Sequence, residues 1–149
     1  MKKRMAILVV LAILFTASAY SQTKSFLEVV ALGGPLEVQA AISKGADVNA
    51  RDTEGNTPLM LACNLQFYEV AAILLKAGAD INAKNVYERT ALMWAAMYYE
   101  IPDKIIALLD AGADAKLKDK MGKMAFDYAQ ENWRFAGTEA YRRLEATSK

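Results

Sequence analysis

The chain of 149 residues contains no histidine. That absence removes the commonest general base, proton shuttle and transition-metal ligand together, and with them every catalytic triad built on an imidazole. Cysteine is nearly absent too: the single Cys63 cannot close an intramolecular disulfide, so the fold does not depend on an oxidising compartment although it would tolerate one. No long apolar run is present. The longest near the start, Met5 to Phe15, has 11 residues, well short of the ~20 that cross a bilayer as a helix. Charge of neither sign dominates, with 18 basic against 17 acidic residues, which gives no electrostatic case for nucleic acid or an anionic membrane as partner.

What is present at the N-terminus reads as a leader. Met1-Lys2-Lys3-Arg4 supplies a basic start, the apolar run follows, and Ala17-Ser18-Ala19 supplies a small-x-small cleavage site, with a second cut available after Ser21. Residues 1–19 are therefore expected to be a Sec-type signal peptide, and the mature protein to be periplasmic or secreted, with bacterial export the expected setting. A retained leader acting as a membrane tether is the alternative. Losing Lys2, Lys3 and Arg4 leaves 15 basic and 17 acidic residues, a net charge near −2.

Beyond the leader the chain repeats itself. Thr57-Pro58-Leu59-Met60-Leu61-Ala62 and Thr90-Ala91-Leu92-Met93-Trp94-Ala95 match at an offset of 33, and Gly-Ala-Asp recurs at Gly45, Gly78 and Gly112. A stacked unit of that length follows. Thr57 before Pro58 predicts a helix start, and Thr90 repeats the cap. Leu59, Ala62 and Leu65 mark one face of a short helix, a turn is expected near Gln66 and Phe67, and Val70, Ile73 and Leu74 mark a second, antiparallel helix ended by a left-handed Gly78. Ala79 to Glu88 then forms a hairpin-like loop, in which Asp80 and Asn82 are expected to bond local backbone.

The period and these residues resemble the ankyrin repeat. The resemblance implies an all-α helical solenoid over residues 23–146, in units of about 23–51, 52–84, 85–118 and 119–146, two complete and two capping, with a tail at 147–149. Departures from the pattern are informative. Met60 and Met93 replace the family's histidine, so the loops must be held by other means and the thioethers are expected to pack. Met124 stands in the threonine's place, Glu88 where a turn glycine is expected, and one residue is inserted around Tyr98-Tyr99-Glu100-Ile101-Pro102.

Nothing in the chain points to chemistry. Cys63 aligns with Ala96 and reads as a small buried side chain, Gly33-Gly34-Pro35 lacks the spacing of a phosphate-cradling loop, and Asp110 to Asp119 lacks calcium-loop spacing. The reading is no enzyme, no catalytic residue, no metal and no cofactor. Lys116, Lys118, Lys120 and Lys123 are interleaved with Asp114 and Asp119 and read as a solvated loop face. Trp94, Phe67, Tyr68, Trp133 and Phe135 are expected to pack between units.

The resemblance implies a partner protein, itself exported, docked on the concave face made from loop tips and first helices, by a chain that is itself a monomer. Carried over position by position, that face is Thr53, Glu54, Asn56, Asn64 and Leu65, then Val86, Tyr87, Arg89, Met97 and Tyr98, then Lys120, Met121, Lys123 and Glu131. Tyr87, Arg89 and Tyr98 are the residue types that dominate interface energies. Tyr98 and Tyr99 can equally fold back over the inserted turn. The alternatives are an immunity or inhibitor protein for a secreted toxin or enzyme, and a small-molecule or glycan binder built around Tyr87, Trp94 and Tyr98.

Overall fold

Short helices with strong start signals and Gly-containing connections dictate the architecture, which is taken from a computed structural model describing residues 25–98, 102–132 and 136–148. The expected leader, Tyr99, Glu100, Ile101, Trp133 and Phe135 lie outside the described residues. Among the described residues there are eight α-helices and no strand. They are α1 (Phe26–Leu32), α2 (Pro35–Ser43), α3 (Pro58–Asn64), α4 (Tyr68–Lys76), α5 (Ala91–Tyr98), α6 (Pro102–Asp110), α7 (Ala125–Glu131) and α8 (Glu139–Ser148). No described helix is long and apolar enough to cross a membrane.

Each start has a local cause. The Met60 amide donates to Thr57 Oγ1 at 3.3 Å and the Met93 amide to Thr90 Oγ1 at 3.4 Å, satisfying donors that the first turn leaves open. Ser25 caps α1 in a reciprocal box with Glu28. Met124 offers no hydroxyl ahead of α7. The side chain of Asp127 compensates there, accepting the Met124 amide at 2.6 Å.

Helices of seven to ten residues do not persist alone, so stacking must hold them. First helices form one continuous row, α1 on α3 on α5 on α7, and each packs on its own second helix. In the second row α2 packs on α4 and α6 on α8, while α4 and α6 meet more lightly, with the Lys104 ammonium 5.3 Å above the Tyr68 ring. Val30, Leu59, Leu74, Leu92, Ile105 and Leu144 are fully buried along this stack. Met60 and Met93, each 1% exposed, are core residues, and Cys63 is buried beside them. Leu65 does not share the buried face of Leu59 and Ala62. The helix ends one residue earlier, leaving Leu65 exposed as its cap, and Gln66 reverses the chain at φ +62°.

The loops are tied to one another. Asn49 Oδ1 accepts the Asp80 amide and Asn82 Oδ1 the Asp114 amide, both at 2.8 Å, so these asparagines reach the next loop rather than their own backbone. Asp80 does bond locally, to the Asn82 amide at 3.0 Å. Arg51 donates to the Lys84 carbonyl at 2.8 Å and Lys84 to the Lys118 carbonyl at 3.2 Å. These cations fasten the loops in a chain that has no imidazole to do so. At the next equivalent position after Asn82 stands Lys116. Gly55, Glu88 and Gly122 also occupy one repeated position, with φ +75°, +59° and +77°, so Glu88 adopts the left-handed conformation that glycine fills in the other two.

Candidate functional site

Three successive loop tips and α3, α5 and α7 carry the residues of the face that the resemblance assigns to docking. The tips form one continuous edge because the Val86 amide donates to the Glu54 carbonyl at 2.9 Å and the Lys120 amide to the Tyr87 carbonyl at 3.0 Å. Inside each tip one side chain gathers the turn. Asp52 Oδ1 accepts the amides of Glu54 and Asn56, Asn85 Oδ1 those of Tyr87 and Arg89, and Asp119 Oδ1 those of Met121 and Lys123, all between 2.8 and 3.0 Å.

On this frame the face residues divide into two groups. Thr53, Glu54, Leu65, Lys120 and Glu131 are exposed, as are Val86, Tyr87 and Tyr98 at 46–48% and Met121 at 62%. Asn56, Asn64, Arg89, Met97 and Lys123 are half-buried. Asn56 Oδ1 accepts the Asn85 side-chain amide at 2.7 Å, and Lys123 pairs with Glu131 at 2.6 Å.

Arg89 is the most engaged. Its Nε lies 3.7 Å from Asp119 Oδ2, and its guanidinium carbon lies 5.4 Å from the Trp94 ring centre, 5.8 Å from that of Tyr87 and 5.9 Å from that of Tyr128. The Tyr128 hydroxyl donates to Asp119 Oδ2 in turn. Desolvation pushes the Asp119 carboxyl up, but the Tyr128 hydroxyl, the Lys123 and Met121 amides and the Arg89 charge together hold it below the ordinary value. Burial first, and then donation to Asp119, push the Tyr128 phenol up to about 12. Arg89 therefore joins the third and fourth units as well as lining the face.

Trp94 was expected as framework and is partly that, being half-buried with its indole stacked 5.9 Å from the Tyr98 ring. It also lines a hollow of about 100 Å³ with Glu54, Asn56, Met60, Leu61 and Asn64. Leu61, Trp94 and Tyr128 are equivalent positions, and of this column beside the loops only Tyr128 went unread in the sequence. The signal lay inside the repeated start itself, at the position that is Leu in the first copy and aromatic in the two that follow. A roomier hollow of about 380 Å³ lies elsewhere, at the turns between paired helices, bounded by Gly33, Gly34, Pro35, Phe67 and Tyr68. Among the described residues no group of three or more acidic or thiol side chains is placed to hold a metal ion.

Comparison with known proteins agrees with this geometry. A family model for ankyrin repeats in three copies matches residues 27–119. Protein lin-12 of Caenorhabditis elegans is 50% identical over 60 residues, 40% of this chain. The chain spans only 4% of that protein's length, so the likeness is to a short segment and not to the whole. Repeats of this kind are protein-protein interaction modules and generally not catalysts. Matched over more than half its length and built of stacked helix pairs with linked loops, the chain belongs to the ankyrin-repeat family.

Proposed function

We propose that the protein is an exported, non-catalytic module that binds another envelope or secreted protein through its concave face. The observation that carries this reading is the set of half-exposed Val86, Tyr87 and Tyr98 with the more exposed Met121, held on loops and helices that are hydrogen-bonded into a stiff edge. Aromatic side chains presented on a rigid frame lose little entropy on docking, and an exposed methionine adapts its shape to what it meets. The periplasmic or secreted setting rests on the leader-like start of the sequence. An inhibitor or immunity protein for a secreted toxin or enzyme is a narrower form of the same function and would use the same face. A small-molecule or glycan site is disfavoured there, because a hollow of about 100 Å³ is below the ~300 Å³ at which ligand pockets begin.

The test is to express the full chain with a C-terminal tag, recover it from the envelope fraction, map its N-terminus and identify any stoichiometric partner. Tyr87→Ala with Tyr98→Ala should weaken that complex by at least tenfold while leaving the thermal midpoint near the parent's. A partner that binds the double variant unchanged would place the contact elsewhere. An intact leader would favour the tethered form.

A further inference from the structure

The loops between successive helix pairs run over equivalent residues, 45–57, 78–90 and 112–124. The first carries Asp47, Arg51, Asp52 and Glu54, a net charge of −2. The second carries Asp80, Lys84, Glu88 and Arg89, which cancel. The third carries Asp114, Lys116, Lys118, Asp119, Lys120 and Lys123, a net charge of +2 that the pairing of Lys123 with Glu131 reduces to +1. Their spatial order is fixed by the bonds from Val86 to Glu54 and from Lys120 to Tyr87. The edge is thus acidic at one end and basic at the other, and its neutral centre presents the half-exposed apolar pair Val86 and Tyr87.

Such a pattern is antisymmetric about its centre, and that has a geometric consequence. A two-fold rotation about an axis through Val86 and Tyr87 lays the acidic loop of one molecule on the basic loop of a second, twice over, and brings the apolar pairs together. Two-fold interfaces need a patch complementary to itself, and this edge meets that condition. Side-by-side alignment in the same direction would oppose like charges at both ends.

We infer that the loop edge is a self-association surface, on which a second copy of this chain docks antiparallel, loop 45–57 against loop 112–124. The occupant follows from charge complementarity, since the chain itself carries the matching pattern. The pair is weak and salt-sensitive, because exposed charges at this range are screened within about 10 Å at ordinary ionic strength. The inference does not depend on the partner proposed above, but both use one face, so a docked copy must leave before that partner binds.

The test is sedimentation velocity of the full chain up to millimolar concentration at low and at high salt, with two single variants. Glu54→Lys and Lys120→Glu suit the purpose because both side chains are exposed. Among the described residues Lys120 lends the turn its main chain, and the Glu54 carboxylate accepts a single bond, from Asn56 at a long 3.4 Å. A concentration-dependent dimer that high salt weakens is expected, and each single reversal, counted twice by symmetry, should weaken it by about tenfold. Mixing the two variants should restore association as a heterodimer, a result that apolar sticking through a retained leader cannot give. Monomer at every concentration overturns the inference, as does a dimer indifferent to the reversals or not restored by mixing. A monomer that still binds an exported partner would leave the proposed function standing.

Discussion

Asp119→Ala should be among the most damaging polar substitutions in the protein. The carboxylate is 1% exposed and serves four groups at once: the Met121 and Lys123 amides at 2.8 and 3.0 Å, the Tyr128 hydroxyl, and Arg89. Truncation leaves a half-buried guanidinium without its counter-charge, and removing one member of a buried pair costs about 3–5 kcal/mol. Water can reach the loop amides once the carboxylate is gone, which moves the expectation to the lower end, about 3 kcal/mol. Asp119→Asn removes the same counter-charge but should cost less, about 2 kcal/mol, because an asparagine Oδ1 can keep both amides. Asn85 does so one unit earlier, for Tyr87 at 2.9 Å and Arg89 at 3.0 Å. The assay is urea unfolding followed by circular dichroism and tryptophan fluorescence. In a linear array the loss is local, so the alanine variant should release α7 and α8 ahead of the rest and lower the slope of the main transition. An alanine variant within about 1 kcal/mol of the parent, or an asparagine variant as damaged as the alanine one, would refute the reasoning.

Other expectations use the same measurement. Asn82→Ala removes the acceptor of the Asp114 amide and a longer bond to the Gly112 carbonyl, and should cost about 1 kcal/mol. Glu88→Gly should stabilise by about 0.5–1 kcal/mol, since it relieves a left-handed residue at φ +59° and loses only an exposed pair with Lys84. Acid should weaken the fold as pH falls below 3.8, the ordinary aspartate value, because Asp52 and Asp119 are both held below it and their contribution is lost as they protonate; Asp119→Asn should flatten that limb. At the alkaline end the Tyr128 contribution is complete below pH 10 and is lost as pH rises through about 12, so Tyr128→Phe should remove that part of the alkaline loss.

The architecture was legible in the sequence because its signals are local. Thr57-Pro58 and Thr90 mark helix starts with their own hydroxyls, and Gly78 marks a helix end by a backbone conformation, so each can be read within a few residues. The face was less legible because its decisive contacts cross from unit to unit. Arg89 reads as a free arginine until Asp119 and Tyr128, 30 and 39 positions on, are seen beside it. Asn82 reads as a local turn residue for the same reason, its partner being the amide of Asp114. Leu65 carries two assignments in the sequence, the helix face of Leu59 and Ala62 by spacing and the docking face by resemblance; the helix stops before reaching it and leaves it exposed.

The asparagine ladder also sets how the array can lengthen. Each rung needs an asparagine in one loop and an aspartate amide in the next, and the segment 52–84 brings its own Asp80 and Asn82. A tandem copy of that segment would find a rung waiting on either side. A copy laid past the third loop would meet the Lys116 ammonium, which has no oxygen to offer an amide. The ladder is open to growth from within, and at that loop a single residue withholds its next rung.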